Sequence, residues 1–124
     1  MLTAKQFLDS RQKKTNNNKY KAKKCSFNNL SFPSLLERDC YAYLKTQQDC
    51  GIIKYIIRQV PFDLPGNSTH KIDFMAVIDT GNIFLEAKGR DLPMGKLKRK
   101  QVEELYSITV QVITKVADIY GILS

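Results

Sequence analysis

The middle of the chain carries charged side chains whose types and spacing suit chemistry on a phosphate. Asp73 stands inside one apolar run, residues 72–78, and Glu86, Ala87 and Lys88 close the next apolar run. A carboxylate left unpaired in a dry environment costs several kcal/mol, so charges in such runs need compensation. Two carboxylates with an ammonium group beside them suit a hard divalent cation that also holds a phosphate.

The two apolar runs predict a β-hairpin in the interior of a sheet. The turn between them spans residues 79–82 and reads Asp-Thr-Gly-Asn, a composition typical of hairpin turns. Both faces of each run are apolar, which is typical of a strand with neighbours on both sides. Side chains of a strand repeat with a period of two, so Glu86 and Lys88 are predicted to share a face.

Further helices and strands are predicted around this hairpin. Gly51 stops a helical pattern that begins near Ser34, and Pro61 cannot donate to a ladder, so its strand ends there or lies at an edge. The predicted elements are a helix from residue 31 or 34 to about 48, a strand at 52–62, a loop at 63–70, the hairpin, a loop at 90–95, a helix at 96–105, a strand at 107–114, and a short helix or edge strand at 116–123.

An aspartate followed downstream by Glu-x-Lys, here Asp73 and then Glu86-Ala87-Lys88, resembles the core motif of the PD-(D/E)xK nuclease superfamily. Glu37, at the start of the predicted first helix, resembles the first-helix glutamate of Holliday-junction resolvases and small phage-type nucleases. The agreement includes the order in which helix, strand and hairpin follow one another.

The resemblance covers residues 32–101, and it departs from the pattern at Ile72, where the name of the superfamily has a proline before the aspartate. It implies an α/β fold with a restriction-endonuclease-like core. In that core a central mixed β-sheet is flanked by helices in the order αβββαβ.

The resemblance also implies a Mg²⁺-dependent endodeoxyribonuclease, with Mn²⁺ able to substitute. Asp73, Glu86 and the carbonyl of Ala87 are the expected metal ligands, and Glu37 is expected to complete or relay the shell. Lys88 is expected to orient the attacking water and to offset charge on the phosphorus. The remaining candidates, expected to lie beside these ligands, are Gln59 and Gln101.

Relatives of this kind leave 5′-phosphate and 3′-hydroxyl ends, and those that cut both strands act as homodimers. Because a chain of 124 residues has little surface left for reading bases, branched DNA such as a Holliday junction is the expected substrate. A role in recombination or phage DNA processing follows by resemblance only.

Each candidate also has a structural interpretation. Ser34 and Glu37 fit a capping box, in which the glutamate reaches back to the helix cap. Asp73 fits a turn residue at the start of a strand, paired with His70 or Lys71, and Glu86 with Lys88 fits a purely structural ion pair. Gln59 fits an ordinary strand residue. The sequence leaves these alternatives open.

The charge of the chain points to a polyanionic partner. Twenty Lys and Arg against twelve Asp and Glu give a net charge of +8 and a pI near 9.5. Residues 1–30 are predicted to be a basic arm, flexible from residue 12 to 29, ahead of a single nuclease-like domain at 31–124. The candidates for DNA-backbone contact are Lys21, Lys23, Lys24, Lys96, Lys98, Arg99 and Lys100; solvated charge is the alternative for each.

Other features narrow the function further. Cys25, Cys40 and Cys50 lack metal-knuckle spacing, so reduced buried thiols are expected. His70 is the only histidine and is expected in a loop. A chain without a visible signal peptide or membrane span is expected in the cytoplasm. The rival function is a nuclease-fold DNA-binding or docking subunit of a recombination or transposition complex.

Overall fold

The computed structural model describes residues 25–124, and these residues form a mixed α/β fold with a four-stranded sheet and three helices. The elements in chain order are β1 (Cys25–Phe27), β2 (Leu30–Phe32), α1 (Leu35–Asp49), β3 (Tyr55–Leu64), β4 (Ser68–Ile78), β5 (Gly81–Ala87), α2 (Pro93–Tyr106), β6 (Val110–Ile113) and α3 (Ala117–Leu123).

The main sheet has the strand order β3-β4-β5-β6. The first two neighbouring pairs are antiparallel, and β6 joins β5 in parallel. The predicted hairpin strands, β4 and β5, therefore lie in the interior of the sheet, as their apolar faces indicated. The order helix, three strands, helix, strand is also found, and α3 confirms the helical alternative for the last segment.

The long loop predicted at residues 63–70 is wrong. Strand β3 continues to Leu64 and β4 begins at Ser68, so only a tight turn remains between them. The backbone of Gly66 and Asn67 lies in the left-handed region, with φ of 80° and 56°, which allows the chain to reverse there. Pro61 lies in the edge strand β3, which confirms the prediction of an edge position.

Residues 25–32 were predicted in part as flexible arm, yet they form the hairpin of β1 and β2. Asn28 and Asn29 turn the chain with φ of 52° and 63°, a conformation that asparagine tolerates well. Phe32 is buried and its ring centroid lies 5.2 Å from that of Tyr41 in α1. Lys21, Lys23, Lys24 and the rest of residues 1–24 lie outside the described part of the chain.

The main core fills the space between α1, α3 and one face of the sheet. Its fully buried side chains include Leu44 of α1, Phe74 of β4, Leu85 of β5 and Ile119 of α3. Helix α2 covers part of the opposite face, where Phe62 of β3 packs on Phe84 and Tyr106, among others. The sheet is thus flanked by helices on both faces.

Two cysteine side chains are described, and they differ in burial. Cys40 is buried in the core, where burial raises the pKa of its thiol to about 12, whereas Cys50 is exposed at the end of α1. The expectation of buried thiols therefore holds for Cys40 and is wrong for Cys50. In the part of the chain that the structure describes, no helix combines the length and apolar character needed to cross a membrane.

Candidate functional site

Three buried acidic side chains from three different elements meet at one end of the sheet. Glu37 comes from the first turn of α1, Asp73 from β4 and Glu86 from the end of β5, with 4%, 9% and 1% of their surface exposed. The amide of Gln59 donates to Glu37 Oε2 and to Asp73 Oδ1, each at 3.3 Å. One side chain therefore ties the helix carboxylate to the strand carboxylate.

Helix capping explains where Glu37 stands but not where its carboxylate points. The hydroxyl of Ser34 accepts from the backbone N–H of Glu37 at 3.1 Å, which is one half of a capping box. The Glu37 side chain accepts from Gln59 instead of closing the other half. Ser34 thus fixes the start of α1 and leaves Glu37 free to serve the site.

Gln59 has an unusual backbone conformation, which directs its side chain toward Glu37 and Asp73. Its φ of 52° lies in the left-handed region, which costs a non-glycine residue on the order of 1 kcal/mol or more. Arg58 pairs with Phe74 and Val60 pairs with Ile72, but the ladder between these pairs is interrupted at Gln59 and Asp73. Strained backbone of this kind occurs often at functional sites.

The interruption also changes which way the strand faces. Arg58 and Phe62 are four residues apart, so a regular strand would place them on one face. Instead, Arg58 lies over the ring of Phe32, on the side of α1, and Phe62 contacts Tyr106 of α2. Because of the reversal at Gln59, the edge strand β3 has side chains packed on both faces of the sheet. The reversal itself lies next to the carboxylates of Glu37 and Asp73.

Asp73 is also tied to the end of β5. Its Oδ2 accepts from the backbone N–H of Ala87 at 2.9 Å. The sequence had suggested the carbonyl of Ala87 as a ligand, and the structure shows its N–H in contact with the site. Asp73 is buried inside a strand with Gln59 and Ala87 as partners, so the interpretation as a turn residue paired with His70 or Lys71 is wrong.

The Glu37 and Asp73 pair lacks full positive compensation. Burial, and next the charge of Asp73, raise the pKa of Glu37 to about 7. Burial also raises the pKa of Asp73, although the Ala87 N–H opposes the shift; the charge of Glu86 adds to it. A cation placed between two such carboxylates would stabilise the ionised form of both.

Glu86, in contrast, is held by basic side chains on both oxygens. His70 Nε2 lies 2.6 Å from Oε1, and Arg99 Nη1 donates to Oε2 at 2.9 Å. Arg99 also bonds Asp91, with Nη1 3.1 Å from Oδ1 and Nη2 2.6 Å from Oδ2. This four-residue cluster lies next to the Glu37 and Asp73 pair.

Two predictions about this cluster were wrong. His70 was expected in a loop, but β4 begins at Ser68, which puts the His70 side chain beside Glu86. Arg99 was a candidate for DNA-backbone contact with solvated charge as the alternative, and that alternative is wrong, because only 11% of its side chain is exposed. Arg99 stands one helical turn before the buried Val102, so both lie on the side of α2 that packs on the sheet.

Lys88 follows β5 directly and is half-buried. Its backbone N–H donates to Ile113 O at 2.9 Å, which holds this end of the chain against β6. Its ammonium group lowers the pKa of both Glu37 and Asp73, so it stands within electrostatic reach of the pair. Among the described residues Lys88 forms no ion pair, and the partners of Glu86 are His70 and Arg99 instead.

The remaining candidates on α2 divide by exposure. Lys96 and Lys100 are exposed, whereas Lys98 and Gln101 are half-buried. Gln101 makes no hydrogen bond to the site among residues 25–124. Asp91 is a site residue that the sequence did not single out, because nothing local links it to a glutamate in the preceding strand.

The donor chemistry of the site fits a hard divalent cation in part. Within residues 25–124, no three acidic, histidine or cysteine side chains converge as a ready-made ligand set. Glu37 and Asp73 offer carboxylate oxygens, the donor type that such a cation prefers, and burial raises the pKa of both. Glu86 could join them only by giving up Arg99 or His70.

Comparison of the chain with protein-family models, with curated proteins and with solved structures finds no match.

Proposed function

We propose that the protein is a metal-dependent DNA endonuclease that hydrolyses phosphodiester bonds on a restriction-endonuclease-like core. The observation that carries the proposal is that three buried carboxylates lie near one another: Gln59 bonds both Glu37 and Asp73, and the charge of Glu86 acts on Asp73. Lys88 lies within electrostatic reach of Glu37 and Asp73. Buried carboxylates destabilise a fold unless they have partners, and Glu37 and Asp73 have no ion-pair partner among the described residues. A phosphate-handling metal centre would supply one.

The arrangement of the elements supports the same proposal. Asp73 and Glu86 lie in the two interior strands, Lys88 directly follows the second of them, and Gln59 links Glu37 of α1 to Asp73. The structural alternatives for Glu37 and Asp73 leave their carboxylate contacts unexplained. In the proposed nuclease these contacts hold the two carboxylates side by side.

In this proposal Glu37 and Asp73 would hold Mg²⁺, or Mn²⁺ in its place, with Glu86 and the carbonyl of Ala87 as further ligands. The bound ion would neutralise charge on the phosphate and lower the pKa of a water molecule. Lys88 orients that water and offsets charge on the phosphorus. Two nearby carboxylates favour the charged form of a lysine, so orientation suits Lys88 better than proton abstraction does.

Basic side chains supply the grip on DNA. Lys96 and Lys100 are exposed on α2, the helix that follows the motif, and the chain as a whole has a net charge of +8. Such contacts fix the phosphate backbone without reading bases. A branched substrate, such as a four-way junction cut by a homodimer, suits this mode of recognition.

One observation favours a second candidate function, a nuclease-fold DNA-binding subunit with little cleavage of its own. Both oxygens of Glu86 are already bonded within the protein, to His70 and Arg99. If these bonds are permanent, Glu86 never reaches a metal. The subunit would then bind branched DNA and leave it intact.

Cleavage of matched synthetic DNAs separates the two candidates. The full chain is incubated with duplex, single-strand, flap and four-way-junction DNA, with Mg²⁺, Mn²⁺ or EDTA, beside Glu86→Ala. We expect cutting, foremost of the junction, that needs both the metal and Glu86. Tight junction binding with no cutting under any metal would instead establish the binding subunit.

A further inference from the structure

The positive charge around the three carboxylates is unevenly distributed. Glu86 has basic partners on both oxygens, whereas Glu37 and Asp73 share the neutral amide of Gln59, and Arg58 lowers the pKa of Glu37 without an ion pair to it among the described residues. Lys88 acts on that pair without forming an ion pair among the described residues. The most buried carboxylate is therefore also the one that is already neutralised.

Arg99 is built to keep a partner if it loses Glu86. Both of its terminal nitrogens bond Asp91, at 3.1 and 2.6 Å, while one of them also reaches Glu86. A paired Arg–carboxylate contact of this type is strong and geometrically specific. Asp91 is 22% exposed and Glu86 1%, so the anchor that would remain lies nearer to solvent. Withdrawal from Glu86 thus leaves no unpaired buried guanidinium.

We propose that Arg99 is an exchangeable counter-cation of Glu86, which neutralises this carboxylate in the metal-free protein and competes with the divalent cation for it. Asp91 is the residue that retains Arg99 once the cation takes Glu86. This inference rests on the proposed function, in which Glu86 is a metal ligand. Arg99 and Asp91 are positioning residues, because they act through Glu86.

In the opposite role, Arg99 keeps its bond to Glu86 permanently and orients this carboxylate toward the metal. The two roles predict opposite signs for one substitution. If Arg99 competes, Arg99→Gln removes the competitor and tightens metal binding. If Arg99 orients, the same substitution leaves Glu86 misplaced and weakens metal binding.

Asp91→Asn gives a second change in metal affinity whose sign separates the two roles. With competition, the substitution leaves the guanidinium with Glu86 as its charged partner, so the metal has a stronger rival and binds more weakly. A competing Arg99 therefore makes the two variants move in opposite directions, whereas an orienting Arg99 makes both weaken binding. Arg90→Gln is the matched control, because Arg90 is exposed near the site and its loss removes the same charge without touching Glu86.

The experiment is a calorimetric titration of the metal-free full chain with Mn²⁺ in the absence of DNA. We expect Arg99→Gln to bind about tenfold more tightly than the unmodified chain, Asp91→Asn more weakly, and Arg90→Gln within about twofold. In EDTA, Arg99→Gln should also melt at a lower temperature, because Glu86 has lost a partner, and Mn²⁺ should raise its Tm by more than it raises that of the unmodified chain.

Equal or weaker Mn²⁺ binding by Arg99→Gln overturns the inference. Arg99→Met, which keeps the apolar part of the side chain, replaces Arg99→Gln if the latter fails to fold. Asp73→Asn in the same titration tests the metal site separately from the competition by Arg99. If Asp73→Asn abolishes binding and Arg99→Gln does not tighten it, the metal site stands and only the competition fails. If the unmodified chain binds no Mn²⁺, both proposals fail.

Discussion

Glu37 is the residue at which stability and proposed function oppose each other. Its folded pKa of about 7 lies above the usual 4.5, because the side chain is buried beside Asp73. A group with a raised pKa stabilises the fold fully below its unfolded pKa, and this contribution is lost as the pH rises through the folded value. For Glu37 the window therefore runs from about pH 4.5 to above pH 7.

We predict that Glu37→Gln stabilises the metal-free protein at pH 8. The neutral amide avoids the cost of the buried charge, so the free energy of unfolding should rise by roughly 2 kcal/mol there and change little at pH 4.5. Urea unfolding in EDTA at both pH values measures the difference. The same variant should lose cleavage. Equal stability of variant and parent at pH 8 would contradict the account of Glu37.

Gln59 combines backbone strain with a bond to two carboxylates. We predict that Gln59→Gly changes the free energy of unfolding by less than about 1 kcal/mol, since relief of the left-handed conformation offsets the lost hydrogen bonds. Cleavage should fall by about tenfold or more, because Glu37 and Asp73 are no longer tied together. Chemical unfolding and single-turnover cleavage on one preparation test both parts. A large loss of stability with full activity would show that Gln59 is structural.

The elements of the main sheet follow from their local patterns. Apolar runs separated by a turn predicted β4 and β5, and charges inside those runs pointed to Asp73 and Glu86. Two features of the fold could not be predicted from local patterns: the β1–β2 hairpin and the reversal at Gln59. The strands β1 and β2 have three residues each, too short for a clear alternation, and they form because Phe32 packs on α1. The reversal at Gln59 is a left-handed backbone conformation, and a glutamine in the sequence does not predict it.

The cluster around Glu86 was missed for a related reason. Its members come from β4, from β5, from the loop after it and from α2, so they meet only in the folded chain. A signal was present at Arg99, which precedes the apolar Val102 by one helical turn. The basic residues at 96–100 were instead interpreted together, as candidates for DNA-backbone contact, so the inward position of Arg99 was not predicted.

The β1–β2 hairpin should stabilise the core through Phe32. We predict that Phe32→Ala lowers the free energy of unfolding by about 3 to 5 kcal/mol, because it removes a fully buried ring that packs on Tyr41 and lies beneath Arg58. Leu35→Ala is the matched control, since Leu35 is 49% exposed and its truncation should cost under 1 kcal/mol. Equal effects of the two changes in urea unfolding would rule out a structural role for the hairpin.

At the scale of the whole molecule, the excess of positive charge should appear in the salt dependence of DNA binding. Log affinity falls as log salt concentration rises, and we predict that the double change Lys96→Ala and Lys100→Ala makes this negative slope shallower by about 2. The reason is that each exposed lysine on α2 releases a counterion from the DNA. Junction binding at several salt concentrations in EDTA gives the slope.

Lys54→Ala is the control for that slope. Lys54 is exposed, lies outside α2 in the chain and pairs with Asp79 at the turn of the β4–β5 hairpin. Its loss should leave the slope nearly unchanged. If Lys54→Ala lowers the slope as much per charge as the α2 lysines do, DNA does not bind along α2.

The central claim is that the buried carboxylates form a catalytic centre, and one comparison tests it most directly. Asp73→Asn removes the charge from the pair, and Asp79→Asn makes the same change at the exposed turn of the same hairpin, where 83% of the side chain is accessible. Cleavage and binding of one four-way junction are measured for both variants with Mg²⁺.

We predict that Asp73→Asn lowers cleavage by at least about a hundredfold and retains junction binding, while Asp79→Asn matches the unmodified chain. Cleavage by Asp73→Asn at the unmodified rate would contradict the account, because hydrolysis would then not depend on the carboxylate at the centre of the site.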